Sequence, residues 1–420
     1  MTVIMKRKLL NQMATEWRSN VWMVIELVIV IAVLHFVFSS FYSFYVAYSH
    51  DKGYNTDDTF VADIRYMPKS SPAYVPYDSV HSTDTDCEVL LGKIRNNPNV
   101  ELATVASNNS VPYWSSYYGM TAHLLDGDST SGAYSANIRP VTPDLIRIYR
   151  IQGLNGETTE ELARIIERGD ILLSNVEPAP WSTILDPWLT LGKDVFFGND
   201  STDVHHVGAL AWGLRRSDFE PLYGGVIYRN MNKGDASWGA RLVVRVKPGK
   251  GTAFVESLTT GDKIQGNVYL TNLASVNRMR EIANLNEMQE IRNFSVCAVF
   301  LLLVVFLGFL GTFWFRIQQR IGEIAVRKVA GATNTDIFSR LISEGLLLLA
   351  IAAVIATPLV VGIVRAEIHA KVGLEMLDNS AYIAGGVLTF LVLMVLIVCG
   401  IWAPARKATR IDPAYALKDQ

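Results

Sequence analysis

Four stretches of the chain are apolar for long enough to cross a bilayer, and the pattern between them is that of a folded polar domain. The runs cover residues 21–45, 294–315, 342–364 and 382–403, and a helical span needs roughly 20 apolar residues. The first follows Lys6, Arg7 and Lys8 as a secretory signal would. It is longer than the about 7–15 apolar residues of such a signal, and no small-residue cleavage site follows it. Phe41, Tyr42, Phe44, Tyr45 and Tyr48 come next, in the manner of an aromatic belt at a membrane interface. The expectation is an uncleaved anchor.

Residues 46–272 alternate short strand and helix patterns and read as an α+β domain. "CEVLLGKIRN" carries Val89, Leu90 and Ile94 on one helical face, with Asp84 or Asp86 as its cap. "VELATVAS" reads as a strand, "PDLIRIYRI" as a helix, and "DILLSNV" as a short buried strand. "GKDVFF" and "HHVGALAWGLR" form an expected strand pair, while "ARLVVRVKPG" and "GNVYLTNL" are later strands. "YMPKSSPAYVPYDSV" has the Pro and aromatic content of an irregular surface segment. Residues 273–293 then place Val276, Met279, Ile282, Leu285, Met288 and Ile291 at helical spacing with no proline. At about 1.5 Å per residue this is a stalk of roughly 30 Å that continues into the second span and on to Lys328. The predicted fold is four transmembrane helices, with the large domain inserted between the first and second.

Charge sets the orientation. The whole chain is near neutral, at −2, with a mean hydropathy of +0.21. The bases nevertheless collect in three places: residues 1–20 (Lys6, Arg7, Lys8, Arg18), residues 316–341 (Arg316, Arg320, Arg327, Lys328, Arg340) and residues 404–420 (Arg406, Lys407, Arg410, Lys418). Lys/Arg-rich short segments stay in the cytoplasm, so both termini are expected there. The inserted domain and the short loop 365–381 are expected outside, in a multi-pass protein of the inner (plasma) membrane. Acids outnumber bases in the outer domain, which argues against a nucleic-acid surface. Of three cysteines, Cys297 and Cys399 lie in spans and Cys87 is alone in the outer domain, so no intrachain disulfide supports it.

The stretch 316–341 is too charged for lipid and too patterned for a spacer. Ile321, Ile324, Ala325 and Val329 form an apolar stripe, with Arg320, Glu323, Arg327 and Lys328 off it. Glu323 and Arg327 stand in the favourable i,i+4 order. Gly331 is placed to end the helix, and Thr333 with Asp336 to cap the next one. A helix this short needs a partner surface. Lipid headgroups and another protein both qualify on these residues alone.

"RIGEIAVRKVAGATNTDIFSRLISEGLLL" resembles the motif of MacB- and FtsX-type ABC transporter permeases. Arg320, Glu323, Ile324, Arg327, Lys328, Gly331, Ala332, Ile337 and Glu344 match it. The ending "PARKATRIDPAYALKDQ" resembles that family's tail at Pro404, Ala405, Ala408, Pro413, Ala416, Leu417 and Lys418. More loosely, "PVTPDLIRIYRIQGLNGETTEE" and "LGKDVFF" look like the MacB periplasmic core domain. The resemblance implies a permease dimer, homo- or heteromeric, seated on ATP-binding subunits. In it the helix after span two enters a groove on the ATPase, and the stalk carries ATP-driven motion to the outer domain. It further implies an outer partner or periplasmic adaptor, with a substrate the sequence does not identify.

No catalytic constellation competes with that reading. Gly192-Lys193 is followed by Asp194, and Gly249-Lys250 by Gly251, so neither completes a phosphate-binding loop. ATP and Mg are therefore expected on a separate ATPase subunit, with no cofactor on this chain and no enzyme activity of its own. His205 and His206 are neighbours in a strand and point to opposite faces, which disfavours a shared metal. Two acids lie in spans, where an ionisable group costs a few kcal/mol unless paired. Glu26 is open to snorkelling, to pairing with Arg18 or a neighbouring span, or to holding spans in register; Glu344 matches the family motif. Pro358 should kink span three. Two alternatives remain: an FtsX-like regulator of an outer partner such as a cell-wall hydrolase, and a membrane receptor without an ATPase.

Overall fold

The structure is a computed structural model describing residues 17–409, apart from 79–81, 115–118, 127–128, 175–193, 198–203, 220–224, 233–234, 236–238, 260–262 and 366–378. The chain divides into two compact units: Met1–Val46 with Met288–Gln420, and Ala47–Glu287. It passes between them inside two helices, α1 (Trp17–Ser49) and a later 35-residue helix, Leu285–Gln319.

The inserted unit has two sheets. The first is five-stranded and antiparallel, in the order β10-β11-β1-β9-β2. Its strands are β1 (Thr59–Tyr66), β2 (Val100–Ser107), β9 (Ala240–Val246), β10 (Ile264–Gln265) and β11 (Val268–Ser275). The second is a closed barrel, β3-β4-β8-β5-β7-β6. It is made of β3 (Gly119–Asp126), β4 (Ser129–Val141), β5 (Ile171–Leu173), β6 (Asp194–Phe197), β7 (Val204–Leu210) and β8 (Gly225–Asn230). Closure leaves the barrel no exposed strand edge. All six strands contribute to its interior, among them Ala122, Ile138, Leu173, Val195, Leu210 and Ile227.

The first sheet is covered on both faces, so β9 is buried along its whole length although its residues alternate. Leu242, Val244 and Val246 pack with Leu90 and Ile94 of α2 (Thr83–Arg95) and Phe254 of α5 (Gly251–Ser257). Val243 faces the other way, into a core with Leu145 and Ile148 of α3 (Pro143–Tyr149) and Leu162 and Ile166 of α4 (Thr159–Glu167). The two arginines on that second face are satisfied there. Arg245 Nε donates to Ile148 O at 2.6 Å, and Arg241 pairs with Asp63 at 3.1 Å. The cap of α2 is Ser82, not Asp84 or Asp86: its Oγ accepts from the Thr85 N–H at 3.1 Å.

Four helices are long and apolar enough to span a membrane: Val21–Ser49, Val276–Gln319, Asn334–Arg365 and Asn379–Lys407. The stalk starts at Val276 rather than 273, because residues through Ser275 still pair with β1 (Ala274 with Val61, Ser275 with Phe60). It is also not one unbroken rod. It consists of α6 (Val276–Ala283), a one-residue turn at Asn284, α7 (Leu285–Gln319), a turn at Arg320, and α8 (Ile321–Val329). Then come α9 (Asn334–Arg365), which stays helical through Pro358, and α10 (Asn379–Thr409). Leu27, Leu34, Phe313, Leu349, Ile397 and Ile401 form the fully buried centre of the bundle. A Cβ on Gly345 would come within 2.5 Å of Ile401 Cδ1, so α9 and α10 approach through a glycine.

Candidate functional site

The matched stretch folds as a braced elbow between α7 and α9. After Gln319 the Arg320 N–H bonds back to Ile317 O at 3.1 Å, and Arg320 O accepts from Ile324 N, which opens α8. The Arg320 side chain does not cap α8. It reaches Glu344 on α9, with Nη1 at 3.0 and 3.3 Å from the two carboxylate oxygens. Glu344 is buried and Arg320 nearly so. A buried pair of this geometry ties two elements in one arrangement, and removing one partner is costly. Two matched residues 24 apart in sequence are thus a single bond between helices.

The far end of α8 closes as the sequence predicts. Gly331 has φ +93°, a conformation that side-chain-bearing residues rarely adopt. Its N–H donates to Lys328 O and the Ala332 N–H to Arg327 O, both at 3.0 Å, the paired bonds of a Schellman ending. Thr333 Oγ1 accepts from the Asp336 N–H at 3.2 Å while Asp336 Oδ2 accepts from the Thr333 N–H at 3.0 Å, a reciprocal cap for α9. Glu323 pairs with Arg327 along α8. Ile324 is buried in the core shared with Ile337 and Leu341, and Ala325 beside it is also buried. The expected stripe differs at one end: Val329 is 70% exposed, and Val326 is 56% exposed. The helix therefore anchors with its middle and presents Val326, Val329 and Glu323 outward, with Arg327 and Lys328 half-buried beside them.

Of the tail motif, Pro404 and Ala405 lie inside α10, and Ala405 is fully buried. Pro413, Ala416 and Leu417 lie outside the described residues, as does most of the N-terminal segment 1–20. Glu26 is half-buried on α1 against α7, where a Cβ on Gly308 would stand 3.0 Å from its Oε1. Among the described residues no group of three metal-ligating side chains is brought together, and His205 and His206 pair across to different residues of β6.

A second constellation, which no local sequence pattern marks, lies at the root of the stalk in the inserted unit. Asp218 is fully buried. Arg280 Nε of α6 donates to its Oδ2 at 2.5 Å and Asn284 Nδ2 to the same oxygen at 2.9 Å. Lys52, three residues beyond α1, reaches Oδ1 at 2.6 Å, and Tyr113 O–H donates there at 3.0 Å. The Asp218 N–H returns a bond to Asn284 Oδ1 at 2.9 Å. Burial alone would raise this carboxyl, but the bonds from Lys52, Arg280 and Asn284 outweigh it and hold the group below the usual carboxylate range. Burial also pulls on both cations. It prevails at Lys52, which is lowered, whereas at Arg280 the Asp218 bond prevails and the guanidinium is raised. Tyr48, near the end of α1, stacks on Phe219 with ring centres 5.4 Å apart. One carboxylate thus collects the exit of the first helix, the stalk and the segment between β7 and β8 of the barrel. These residues are scattered over 52–284, and no local pattern connects them.

Residues 295–413 match the model of the FtsX-like permease C-terminal family. Among solved structures, the extracellular domain of the noncanonic ABC-type transporter YknZ from Gram-positive bacteria is similar, at 13% identity and TM-score 0.29, over 50% of this chain and 100% of that one. The periplasmic region of MacB from Actinobacillus actinomycetemcomitans is similar at 10% identity and TM-score 0.30, over 55% of this chain and 94% of that one. No curated protein sequence matches. The matched residues 295–413 hold nearly all of spans two to four and the braced elbow between them, so this part of the chain is similar to the C-terminal domain of FtsX-like permeases.

Proposed function

We propose that the chain is the permease subunit of an ABC system, in which α8 docks on a separate ATP-binding subunit and the stalk carries the resulting motion to the inserted domain. ATP and Mg belong to that partner, and the permease works by moving rather than by catalysing. The elbow lies on the cytoplasmic side by the Lys/Arg bias, and a second permease protomer completes the assembly. One observation carries this reading: α8 is braced at both ends, by Arg320–Glu344 and by the Gly331 ending, yet exposes Val326 and Val329. A helix held this firmly and left apolar on its outer face fits a force-bearing contact with protein better than a loose rest on lipid. The Asp218 junction supports the same reading at the other end, since it fastens the stalk to the domain it would move.

Val326→Asp with Val329→Asp changes only exposed side chains, so the chain should fold and insert normally. ATPase stimulation in the reconstituted complex should fall to that of the ATPase alone. Joint reversal of Glu323 and Arg327 should also uncouple. Unchanged stimulation in both variants contradicts the docking assignment. Within the same mechanics, the motion serves either export or extraction of a substrate on the outer side, or switching of an outer partner such as a cell-wall hydrolase. Capture through the inserted domain separates these, by returning a small molecule or lipopeptide in the one case and a protein in the other.

A further inference from the structure

A half-open cavity of about 840 Å³ lies between α1, α9 and α10. That is within the range of roughly 300–1,000 Å³ typical of small-molecule sites. Its lining is graded. Arg365 and Asn379, at the ends of α9 and α10 that flank residues 366–378, form the mouth. Tyr382 and Gly386 follow along α10, about 5 and 10 Å further in at 1.5 Å per residue. His35 of α1 meets them at that depth. Its ring stacks on Tyr382 at 6.1 Å, and a Cβ on Gly386 would lie 3.3 Å from it. Beyond His35 the floor is apolar: Ile31, Ala353 and Phe390.

His35 is the anomaly. It is 9% exposed, in the middle of a span, and its Nε2 is buried with no hydrogen-bond partner. Two threonines in the lining do not share this condition. Thr357 and Thr389 return their hydroxyls to carbonyls of their own helices, at 2.8 and 2.7 Å. Leaving a buried polar atom unsatisfied costs about 1–3 kcal/mol, more than an apolar replacement would. At the mouth, Arg365 forms no ion pair among the described residues.

We propose that this cavity binds an anionic amphiphile. Its charged head sits at Arg365 and Asn379, a carbonyl of its ester or amide linkage accepts from His35 Nε2–H, and its alkyl tail lies on Ile31, Ala353 and Phe390. The spacing of the polar positions fits the occupant: one charge at the mouth, one hydrogen-bonding group some 5–10 Å inward, and below it two threonine hydroxyls already bonded to their own helices. Two sources share this chemistry, a membrane phospholipid and a lipidated molecule handled by the protein. The proposal does not depend on the ATPase assignment.

The test uses the full chain in detergent with phosphatidylglycerol carrying a photoactivatable group in its acyl chain. Cross-links should map to α9 and α10 around residues 353 and 390. Arg365→Gln and His35→Leu should each reduce labelling about tenfold, the loss of one hydrogen bond to a charged or otherwise unsatisfied partner. The phosphatidylcholine analogue should label weakly. Ile383→Trp, which changes an exposed residue at the rim, should block labelling without disturbing the core. If His35→Leu fails to fold, His35→Gln, which keeps a donor, should retain labelling, and Arg365→Gln still decides. Displacement of the probe by excess diacyl lipid identifies a membrane lipid. Displacement by an acylated acidic peptide alone identifies a lipidated cargo. Labelling spread evenly over all lipid-facing residues and indifferent to the variants overturns the proposal. So does efficient disulfide formation between two copies of Ile383→Cys, which would show that a second protomer covers the opening.

Discussion

Asp218→Asn isolates the junction at the root of the stalk. The amide keeps the shape and part of the hydrogen bonding but removes the charge faced by Arg280 and Lys52. Breaking a fully buried ion pair costs about 3–5 kcal/mol. Here the carboxylate is fully buried but Arg280 is 35% exposed and Lys52 19%, so water recovers part of the loss. The expected cost is about 2–3 kcal/mol. For a unit of this size each kcal/mol moves the melting point by about 2–4 °C, which predicts a fall of about 4–12 °C. Thermal unfolding of the full chain in detergent, with hydrogen exchange localising the change to residues 276–284 and 211–219, measures it. The pH dependence supplies a second signature. Because the folded carboxyl titrates below its ordinary value, its contribution is complete above the unfolded value of about 3.9. It disappears as pH falls through the folded value. The gap between wild type and Asp218→Asn should therefore be full at neutral pH and close in acid. A melting point unchanged at neutral pH, or a gap that persists below the carboxylate range, refutes the reasoning. So does a double variant with Arg280→Met whose losses are simply additive, since groups in contact should couple.

Two further outcomes concern the elbow. Glu344→Gln removes the charge that Arg320 grips, a hydrogen-bonded contact worth about 1.5–3 kcal/mol, and should raise hydrogen exchange across residues 321–329 about tenfold or more while leaving the inserted domain unchanged. Gly331→Ala forces a side chain into φ +93°, costs about 1–2 kcal/mol, and should fray the end of α8 and weaken ATPase stimulation without loss of membrane insertion.

The legible parts of this molecule are those governed by short-range rules. The four spans follow from apolar runs, the Gly331 ending and the Thr333 cap from three or four adjacent residues, and β2, β5, β6, β7, β9 and β11 from short apolar or alternating runs, whereas β1, β3, β4, β8 and β10 do not stand out in this way and form through their pairings. What escaped depends on contacts between distant segments. Nothing near Ser82 shows that it wins the cap of α2 over two aspartates. Residues 273–275 carry helical spacing but are held in β11 by pairing with β1. Arg241 and Arg245 alternate with valines as solvent-facing residues would, yet Arg241 is held by Asp63 and Trp114 and Arg245 by Ile148 O and Asn55. Arg320 and Glu344 were both legible as motif positions, but their bond exists only once α7 and α9 are folded together. Asp218 sits in the unremarkable string "RRSDFE", and its importance comes from Lys52, Tyr113, Arg280 and Asn284 converging on it. His35 is one polar residue in an apolar run, and only the surrounding cavity distinguishes it from a packed histidine.

The central claim is that ATP bound by a partner moves the inserted domain. Its most direct measurement is the distance between spin labels at Arg168→Cys, an exposed position on that domain, in the two protomers of the reconstituted complex, with Cys87, Cys297 and Cys399 replaced by serine. The account predicts a shift in the distance distribution on ATP binding that reverses after hydrolysis and is abolished by Val326→Asp with Val329→Asp. A distribution identical with and without ATP, in a complex that hydrolyses it at full rate, contradicts the account.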